Sequence, residues 1–166
     1  MKKIILSNGR VTLVDDEDYD HLSQFRWYQH HSGYAVRSIY PNGRCKAKQV
    51  SMHSLLIDRP EGMVIDHIDG NTLNNQKTNL RVCTKRQNTF NSSMQCNNTS
   101  GFKGVALIHM KTPKWLASIK YEGKTYRIGC FTDKLDAARA YNKAAKEYFG
   151  DFARLNVIPG ETPPSV

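Results

Sequence analysis

The sequence predicts an α+β protein with three consecutive folded parts, and three observations lead to this prediction. The first fifty residues alternate short apolar stretches with turn residues, which indicates a β-rich N-terminal module. The middle part has the pattern of a strand, a loop, a second strand and a helix. The last part has three stretches of alternating polarity, followed by apolar residues at helical spacing. The predicted domains are residues 1–50, 51–96 and 97–158, and residues 159–166 are expected to form a disordered tail.

The N-terminal module is expected to begin with a β-hairpin. Two apolar stretches, Ile4-Ile5-Leu6 and Val11-Thr12-Leu13, flank Asn8-Gly9, which is a strong hairpin turn signal. The acidic run Asp15-Asp16-Glu17-Asp18 follows and suits the first turn of a short helix, where the helix dipole favours carboxylates. A metal site is the alternative interpretation of this run.

The middle part is organised around the stretch Val-Ile-Asp-His-Ile-Asp-Gly-Asn at residues 64–71. The apolar start of this stretch predicts a strand, and Asp-Gly-Asn predicts a turn. Residues 80–82 predict the returning strand, and Thr84 with Gln87 three residues later fits a capping box that opens a helix. The side chains that this strand–loop–strand–helix unit brings toward one another are Asp66, His67 and Asn88.

The C-terminal part predicts a three-stranded antiparallel sheet packed on one helix. Alternation of polar and apolar residues predicts the three strands, at residues 102–108, 114–120 and 125–131. Asp133 suits the N-cap of the helix, and Gly150 occupies the place of a C-terminal cap. Alanine residues recur at helical spacing between these two positions. Their small side chains would let the helix lie close to the sheet.

Composition and charge limit the classes of function. The net charge is +9, and residues 97–156 hold 11 Lys and Arg against 5 Asp and Glu. A basic surface can serve solubility alone, but an uneven positive charge also attracts phosphate groups. No stretch approaches the ~20 apolar residues of a membrane helix, and the apolar start is too short for a signal peptide. We therefore expect a soluble, cytoplasmic protein that does not bind membranes.

In order and spacing, residues 66–88 resemble the HNH nucleases, whose ββα-metal core carries a His, an Asn and a third His or Asn. The likeness is to the single-metal HNH homing endonucleases of bacteriophages. Their pattern of Asp-His-Ile-Asp-Gly-Asn, Asn-Asn, Asn-Leu-Arg and Thr-x-x-x-Asn is met from Asp66 to Asn88. The resemblance implies a ββα-metal HNH core at residues 51–96 and a divalent-metal-dependent, homing-type DNA endonuclease from a phage or its bacterial host.

The residue types of this unit suit phosphodiester hydrolysis, which needs an activated water, a cation on the scissile phosphate and help for the leaving oxygen. A neutral imidazole can take the proton of the water, so His67 is the candidate general base. Asp66 and Asn88 offer hard oxygen ligands for a single Mg²⁺ or Mn²⁺, with water and phosphate oxygens as the remaining ligands. In the alternative interpretation, Asp66 and His67 are polar residues beside a turn and have no chemical role.

The resemblance also implies two supporting residues in the catalytic group. Asn79 would tie the loop so that His67 points correctly. A histidine is usual in a lead-in helix of this family, which we expect at residues 51–57, and His53 occupies that place. His53 would hydrogen-bond the scissile phosphate or buttress the site, and a structural core histidine is the alternative.

Residues 100–156 closely resemble the DNA-binding domain of plant ethylene-response factors, an Apetala-type domain. The shared motifs are Ser-Gly-Phe-Lys-Gly-Val, Trp-x-Ala-x-Ile, Gly-x-Phe-x-Thr, Ala-Ala-x-Ala-Tyr and Leu-Asn. In that family the sheet lies in the major groove, which implies that this part of the chain holds double-stranded DNA. The first strand departs from the family at Ala106 and Ile108. The residues predicted to bind DNA are Arg81, Lys85, Arg86, Lys103, Lys114, Lys120, Lys124 and Arg127.

The cysteine pattern and the single site lead to further expectations. Some HNH proteins hold a structural zinc on two C-x-x-C pairs, and the four cysteines of this chain form no such pair. We therefore expect no structural zinc. One ββα-metal site makes one cut, so a monomer should nick a single strand, whereas cutting both strands requires a weak dimer or two successive visits.

Two other functions stay open. The first is a catalytically inactive DNA-binding regulator, although a decayed site should have lost some of the residues Asp66, His67, Asn79 and Asn88, which are all present. The second is a nuclease that acts on RNA or on single strands. The duplex-binding character of the C-terminal part argues against the second function by analogy.

Overall fold

The computed structural model describes residues 1–41 and 47–163. It shows four small antiparallel sheets and four α-helices in these residues, which confirms the predicted α+β class. The chain divides into two compact units, Met1–Asn88 and Thr89–Val166. The predicted β-rich module and residues 51–88 of the predicted nuclease core therefore belong to one unit. Within the described residues, no helix is long and apolar enough to cross a membrane.

The first unit begins with the predicted hairpin. Strands β1 (Lys2–Ile5) and β2 (Val11–Val14) pair antiparallel, and Gly9 in the turn adopts a positive φ of 80°. Helix α1 (Asp16–Leu22) follows and carries three acidic residues in its first turn. The charge of the helix dipole explains this placement, because carboxylates are favoured at a helix N-terminus.

A three-stranded sheet and a short helix complete the N-terminal half of this unit. The sheet has the order β3 (Tyr28–Gln29), β4 (Ala35–Ile39), β5 (Lys48–Ser51). Helix α2 (His53–Leu56) is shorter than the predicted lead-in helix, because Ser51 pairs with Val36 in the sheet and cannot join the helix.

The remaining elements of the first unit follow the predicted strand–loop–strand–helix order. Strand β6 (Met63–His67) pairs with β7 (Leu80–Thr84), and helix α3 (Lys85–Phe90) follows directly. A 3₁₀ turn at Lys77–Asn79 ends the loop between the two strands.

The core of the first unit joins residues that are distant in sequence. Its largest fully buried side chain is Trp27, whose indole N–H donates to the Leu22 carbonyl at 2.8 Å. The strand β2 also binds the loop between β6 and β7: Leu13 donates its backbone N–H to the Leu73 carbonyl, and Asn75 donates to the Leu13 carbonyl, both at 2.8 Å. The N-terminal hairpin and the β6–β7 loop are therefore held together by backbone hydrogen bonds.

The second unit is a sheet covered by one helix. The sheet has the order β10 (Lys124–Phe131), β9 (Lys114–Tyr121), β8 (Val105–Ile108), and α4 (Lys134–Phe149) packs against it. The buried residues of α4 belong to the clusters that pack against this sheet, and they are Ala137, Ala138, Tyr141, Ala144, Ala145 and Phe149. Asp133 caps the helix by accepting hydrogen bonds from two backbone N–H groups, as its position predicts.

Part of the predicted disordered tail is tied to the second unit. Ile158 is buried in the core, and Glu161 forms an ion pair with Arg139 at 2.7 Å. Residues 159–163 therefore include a segment anchored on α4, and residues 164–166 lie outside the described residues.

Candidate functional site

Strand β6 places Asp66 and His67 at the centre of the first unit. The hairpin register sets Asp66 opposite Arg81 and His67 opposite Leu80. Because successive side chains of a strand point to opposite faces, Asp66 and His67 lie on different sides of the hairpin. The exposed fraction is 6% for Asp66 and 3% for His67, so the protein surroundings rather than bulk water determine their chemistry.

The turn after β6 is held by side chains. The Asp69 carboxylate accepts hydrogen bonds from the backbone N–H of Asn71 at 2.7 Å and from the Asn79 amide at 2.9 Å. Asn79 in turn accepts from the backbone N–H of Asp69 at 3.0 Å and donates to the Asn74 carbonyl at 2.8 Å. Asn79, which we predicted to tie the loop, thus joins the two ends of the turn through Asp69.

The partner of His67 is Asn75, a residue to which the sequence analysis gave no role. His67 Nε2 and Asn75 Oδ1 lie 3.2 Å apart, and both side chains are buried. Asn75 also donates its amide to Thr12 Oγ1 at 2.8 Å. Burial lowers the pKa of His67, and this effect exceeds the raising effects of the Asn75 hydrogen bond and of the Asp69 and Asp66 carboxylates. His67 is therefore neutral near pH 7.

Two aromatic rings from the N-terminal half surround His67. The His53 ring centroid lies 5.3 Å away with an edge-to-face geometry, and the Tyr34 centroid lies 5.7 Å away. Burial, together with the charges of His67 and Arg59, lowers the pKa of His53 to about 4. Burial and the Asp66 charge raise the pKa of Tyr34. The site therefore holds two neutral imidazoles and a protonated phenol at neutral pH.

Arg81 is placed differently from its predicted DNA-binding role. Its Nε and Nη2 donate to Asp66 Oδ2 at 2.9 and 2.8 Å, and its side chain is only 17% exposed. The guanidinium therefore balances the charge of a buried carboxylate. The register of β6 and β7 explains this pair, because it sets the two residues opposite each other.

Helix α3 carries Asn88 and begins with the predicted capping box. Gln87 Oε1 accepts from the Thr84 backbone N–H at 2.9 Å, and Thr84 Oγ1 accepts from the Gln87 backbone N–H at 3.2 Å. The backbone N–H of Asn88 also hydrogen-bonds the buried Cys83 thiol, whose pKa is raised by burial and by the Asp66 charge. The Asp66 charge and the Asn88 backbone thus have opposite effects on the pKa of the same thiol. The predicted DNA-binding residues Lys85 and Arg86 are exposed on the first turn of the helix.

The predicted DNA-binding residues of the second unit fall into two groups. Lys120 and Arg127 are exposed, and the strand register puts them on the face of the sheet that is turned away from α4, together with half-buried Lys114. Lys124 is exposed at the β9–β10 turn. Lys103 differs from these residues, because its ammonium donates to the carbonyls of Phe90 and Ser92, both at 2.7 Å. Burial, followed by the charge of Arg154, lowers the pKa of Lys103 to about 8.

The donor atoms of the two predicted metal ligands suit a hard divalent cation better than a soft one. Asp66 supplies carboxylate oxygens and Asn88 an amide oxygen, which are the ligand types that Mg²⁺ and Mn²⁺ prefer. No group of three or more His, Cys, Asp and Glu side chains suited to a metal ion occurs in residues 1–41 and 47–163. A cation held by Asp66 and Asn88 would take its other ligands from water and phosphate, as Mg²⁺ commonly does.

Comparison with known proteins relates this geometry to a family. Residues 58–90, which include Asp66, His67, Asn79 and Asn88, match the family model described as HNH endonuclease. The chain is 36% identical over 152 residues to "Uncharacterized HNH endonuclease L560" of Acanthamoeba polyphaga mimivirus, and the match covers 90% of this chain and 76% of that protein. It is 35% identical over 96 residues to "Protein 3.8" of Escherichia phage T7, covering 58% of this chain and 78% of that protein. No solved structure matches the chain. The likeness of the second unit to ethylene-response factors stays a prediction.

Proposed function

Because the chain belongs to the HNH endonuclease family, we propose that it is a divalent-metal-dependent endonuclease that hydrolyses phosphodiester bonds in double-stranded DNA. One observation carries the proposal. A buried, neutral imidazole, His67, and a buried carboxylate, Asp66, are consecutive residues of a strand that lies inside the matched family region. A general base and a cation ligand are the two groups that phosphodiester hydrolysis requires first.

His67 acts as the general base. It takes a proton from the attacking water while the water oxygen forms a bond to phosphorus. The bond from phosphorus to the leaving oxygen breaks, and the leaving oxygen takes up a proton from a solvent water molecule. The lowered pKa of His67 suits this role, because only the neutral imidazole can accept the proton at neutral pH.

Asp66 and Asn88 hold the cation, which is Mg²⁺ or Mn²⁺. When bound, the cation stabilises the negative charge that develops on the phosphate. Asn79 keeps the Asp69 turn closed, and His53 packs against the edge of the His67 ring. Arg81 forms an ion pair with Asp66 and would offer a further positive group for the phosphate.

The second unit holds the DNA duplex. Its support is the positive charge of residues 97–156, with Lys114, Lys120 and Arg127 on the sheet face that α4 leaves uncovered. Lys85 and Arg86 lie beside the proposed metal ligand Asn88 and are exposed to the backbone of a bound duplex. We further propose a homing-type enzyme that nicks one strand, because one site supplies one base and one cation.

The direct test is incubation of supercoiled plasmid and phage DNA with the protein and Mg²⁺, with EDTA in a parallel sample. We expect nicked circles with Mg²⁺ and no cleavage with EDTA, and mapping of the cut ends gives the strand and the site. Linear product would replace the nicking proposal with cleavage of both strands. Binding without cleavage in either Mg²⁺ or Mn²⁺ would support the inactive regulator, and cleavage in EDTA would contradict the metal requirement.

A further inference from the structure

We propose that Thr12 and Asn75 fix the tautomer of His67, and that they are positioning residues for the general base. Thr12 lies on β2 of the N-terminal hairpin, and Asn75 lies in the loop between β6 and β7. The inference rests on the proposed function for its catalytic consequence, because the tautomer matters to the reaction only if His67 takes a proton from water.

The direction of the hydrogen bonds follows from a backbone carbonyl. Thr12 Oγ1 lies 2.8 Å from the Leu73 carbonyl oxygen, and a carbonyl oxygen can only accept. The Thr12 hydroxyl therefore donates its single proton to Leu73. The other neighbour of this hydroxyl, Met52 Sδ, is at 3.8 Å and is a much weaker acceptor.

The proton on Thr12 determines the orientation of the Asn75 amide. Since the Thr12 hydroxyl proton is engaged by Leu73, its oxygen acts as the acceptor for Asn75, and Asn75 must present its NH₂ group to Thr12 at 2.8 Å. The amide oxygen of Asn75 then faces His67 Nε2 at 3.2 Å. An oxygen in this place accepts a hydrogen bond, so Nε2 carries the proton of the neutral ring and Nδ1 is the nitrogen that can take one up.

Burial and backbone contacts make this arrangement firm. The exposed fractions of Thr12, Asn75 and His67 are 0%, 1% and 3%, so bulk water does not compete for these hydrogen bonds. The backbone of Asn75 is bound to the Leu13 carbonyl, next to Thr12, at 2.8 Å. The N-terminal hairpin therefore contributes to the chemistry of the site as well as to the core.

Two substitutions at Thr12 separate the hydroxyl from the shape of the side chain. Thr12→Val keeps the shape and removes the hydroxyl, whereas Thr12→Ser keeps the hydroxyl. A long-range proton–nitrogen NMR spectrum of histidine-labelled protein shows which ring nitrogen of His67 carries the proton, with His67→Gln used to assign the signal. Cleavage kinetics on the same DNA give kcat and KM for each variant, and the Trp27 indole N–H signal checks that the unit is folded.

We expect the wild-type protein and Thr12→Ser to show the proton on Nε2. Thr12→Val should show a mixture of tautomers and a kcat lower by about 10-fold to 100-fold, the usual effect of losing a supporting hydrogen bond, with KM little changed. A wild-type proton on Nδ1, an unchanged tautomer in folded Thr12→Val, or an equal loss of kcat in Thr12→Ser would overturn the proposal. If the wild-type protein did not cleave DNA, the proposed function would fail, and the NMR spectrum would still decide the tautomer.

Discussion

At the scale of single residues, the burial of charged and titratable groups explains the candidate site. Removal from water lowers the pKa of both His53 and His67, and the charge of His67 lowers the pKa of His53 further. Asp66 is buried beside Arg81, which supplies the balancing charge. The site therefore holds a neutral imidazole and a carboxylate whose charge is balanced by a guanidinium.

The lowered pKa of His53 predicts a pH dependence of stability. In the unfolded chain a histidine takes up its proton near pH 6.5, whereas His53 in the folded unit does so only near pH 4. Between these values the unfolded state binds more protons, so the stability that is present above pH 6.5 is lost as the pH falls toward 4. We expect a loss of at most about 3 kcal/mol from this group.

Urea unfolding of the first unit between pH 4 and 7, followed through the Trp27 indole N–H signal, measures this loss. His53→Gln cannot take up the proton, so its free energy of unfolding should change less over this range than that of the wild-type protein. Parallel curves for the two proteins would show that His53 does not titrate as its burial requires.

Because Arg81 balances the charge of Asp66, we expect the stability of a variant without Arg81 to depend on Mg²⁺. Arg81→Ala leaves a buried carboxylate without its guanidinium, which should cost about 3 kcal/mol in EDTA. Because a cation bound at Asp66 would replace the missing charge, saturating Mg²⁺ should recover more stability in Arg81→Ala than in the wild-type protein. Urea unfolding of both proteins, with and without Mg²⁺, measures the difference.

Arg139→Ala is the matched control for this experiment. Arg139 also bonds two oxygens of acidic residues, Asp136 and Glu161, but all three side chains are exposed to solvent. Its removal should destabilise the protein far less than Arg81→Ala, and Mg²⁺ should not change the effect. An equal response to Mg²⁺ in both variants would argue against a metal at Asp66.

The sequence predicted some residues of the site and missed others for a physical reason. Asp66, His67 and Asn79 belong to one short segment of the chain, and the spacing between them is visible in the sequence. The contact between Thr12 and Asn75 spans 63 residues and depends on how β2 binds the β6–β7 loop, which no local pattern reveals. Tyr34 reaches His67 in the same way, through the packing of distant segments.

At the scale of elements, short hairpins and caps hold the site together. The capping box of Thr84 and Gln87 opens α3 directly after β7, which limits the freedom of Asn88 relative to the hairpin. The loop between β6 and β7 is closed by Asp69 and Asn79. The proposed metal and base residues therefore stand on elements whose ends are fixed by side-chain hydrogen bonds.

Substitution of two glycines in the second unit should lower the free energy of unfolding by different amounts. Gly104 and Gly123 both have a positive φ, of 72° and 75°. A Cβ at Gly104 would collide with the Tyr141 ring and lie 2.7 Å from the Ser118 carbonyl oxygen, whereas a Cβ at Gly123 would meet nothing within 4 Å. We expect Gly123→Ala to cost about 1–2 kcal/mol from backbone strain alone and Gly104→Ala to cost at least about 3 kcal/mol.

Urea unfolding followed through the Trp115 indole N–H signal tests this difference in the second unit. The Trp27 signal of the same samples provides an internal reference for the first unit. Similar midpoints for the two variants would mean that α4 does not pack against the backbone of Gly104 as closely as the structure shows.

Local sequence signals predicted most of the strands and helices. The differences between the predicted and the observed elements arise from pairing between distant segments. Asn8-Gly9 gave the first hairpin, and Thr84 gave the start of α3. The lead-in helix is shorter than predicted because Ser51 belongs to a strand whose partner, Val36, lies 15 residues earlier in the chain. The DNA-binding role of Lys103 stays a prediction, and the two carbonyls that accept hydrogen bonds from its ammonium could not be identified from the sequence.

At the scale of the whole molecule, the proposed catalytic residues lie in one compact unit and the basic face of the β8–β10 sheet lies in the other. The first unit, Met1–Asn88, contains Asp66, His67 and Asn88. The second, Thr89–Val166, has 11 Lys and Arg against 6 Asp and Glu, and it contains Lys114, Lys120 and Arg127. This division predicts that chemistry and DNA affinity can be changed separately by substitution.

Removal of single charges from the sheet should change the salt dependence of DNA binding. Each phosphate contact contributes about 0.9 to the slope of log affinity against log salt, so Lys120→Gln and Arg127→Gln should each reduce the slope by about one. Lys143→Gln removes the same charge from the exposed side of α4 and should leave the slope unchanged. Equal slopes for the three variants would show that this face of the sheet does not bind the DNA phosphates.

The central claim is that His67 is the general base of a DNA-cleaving site, and one paired measurement tests it most directly. Single-turnover cleavage and equilibrium binding are measured on the same duplex, with Mg²⁺ present, for the wild-type protein and His67→Ala. We predict that cleavage slows by at least about 100-fold while the dissociation constant stays within about twofold, because a general base acts on the reaction and not on binding. Cleavage by His67→Ala at the wild-type rate, or a loss of binding as large as the loss of cleavage, would contradict the claim.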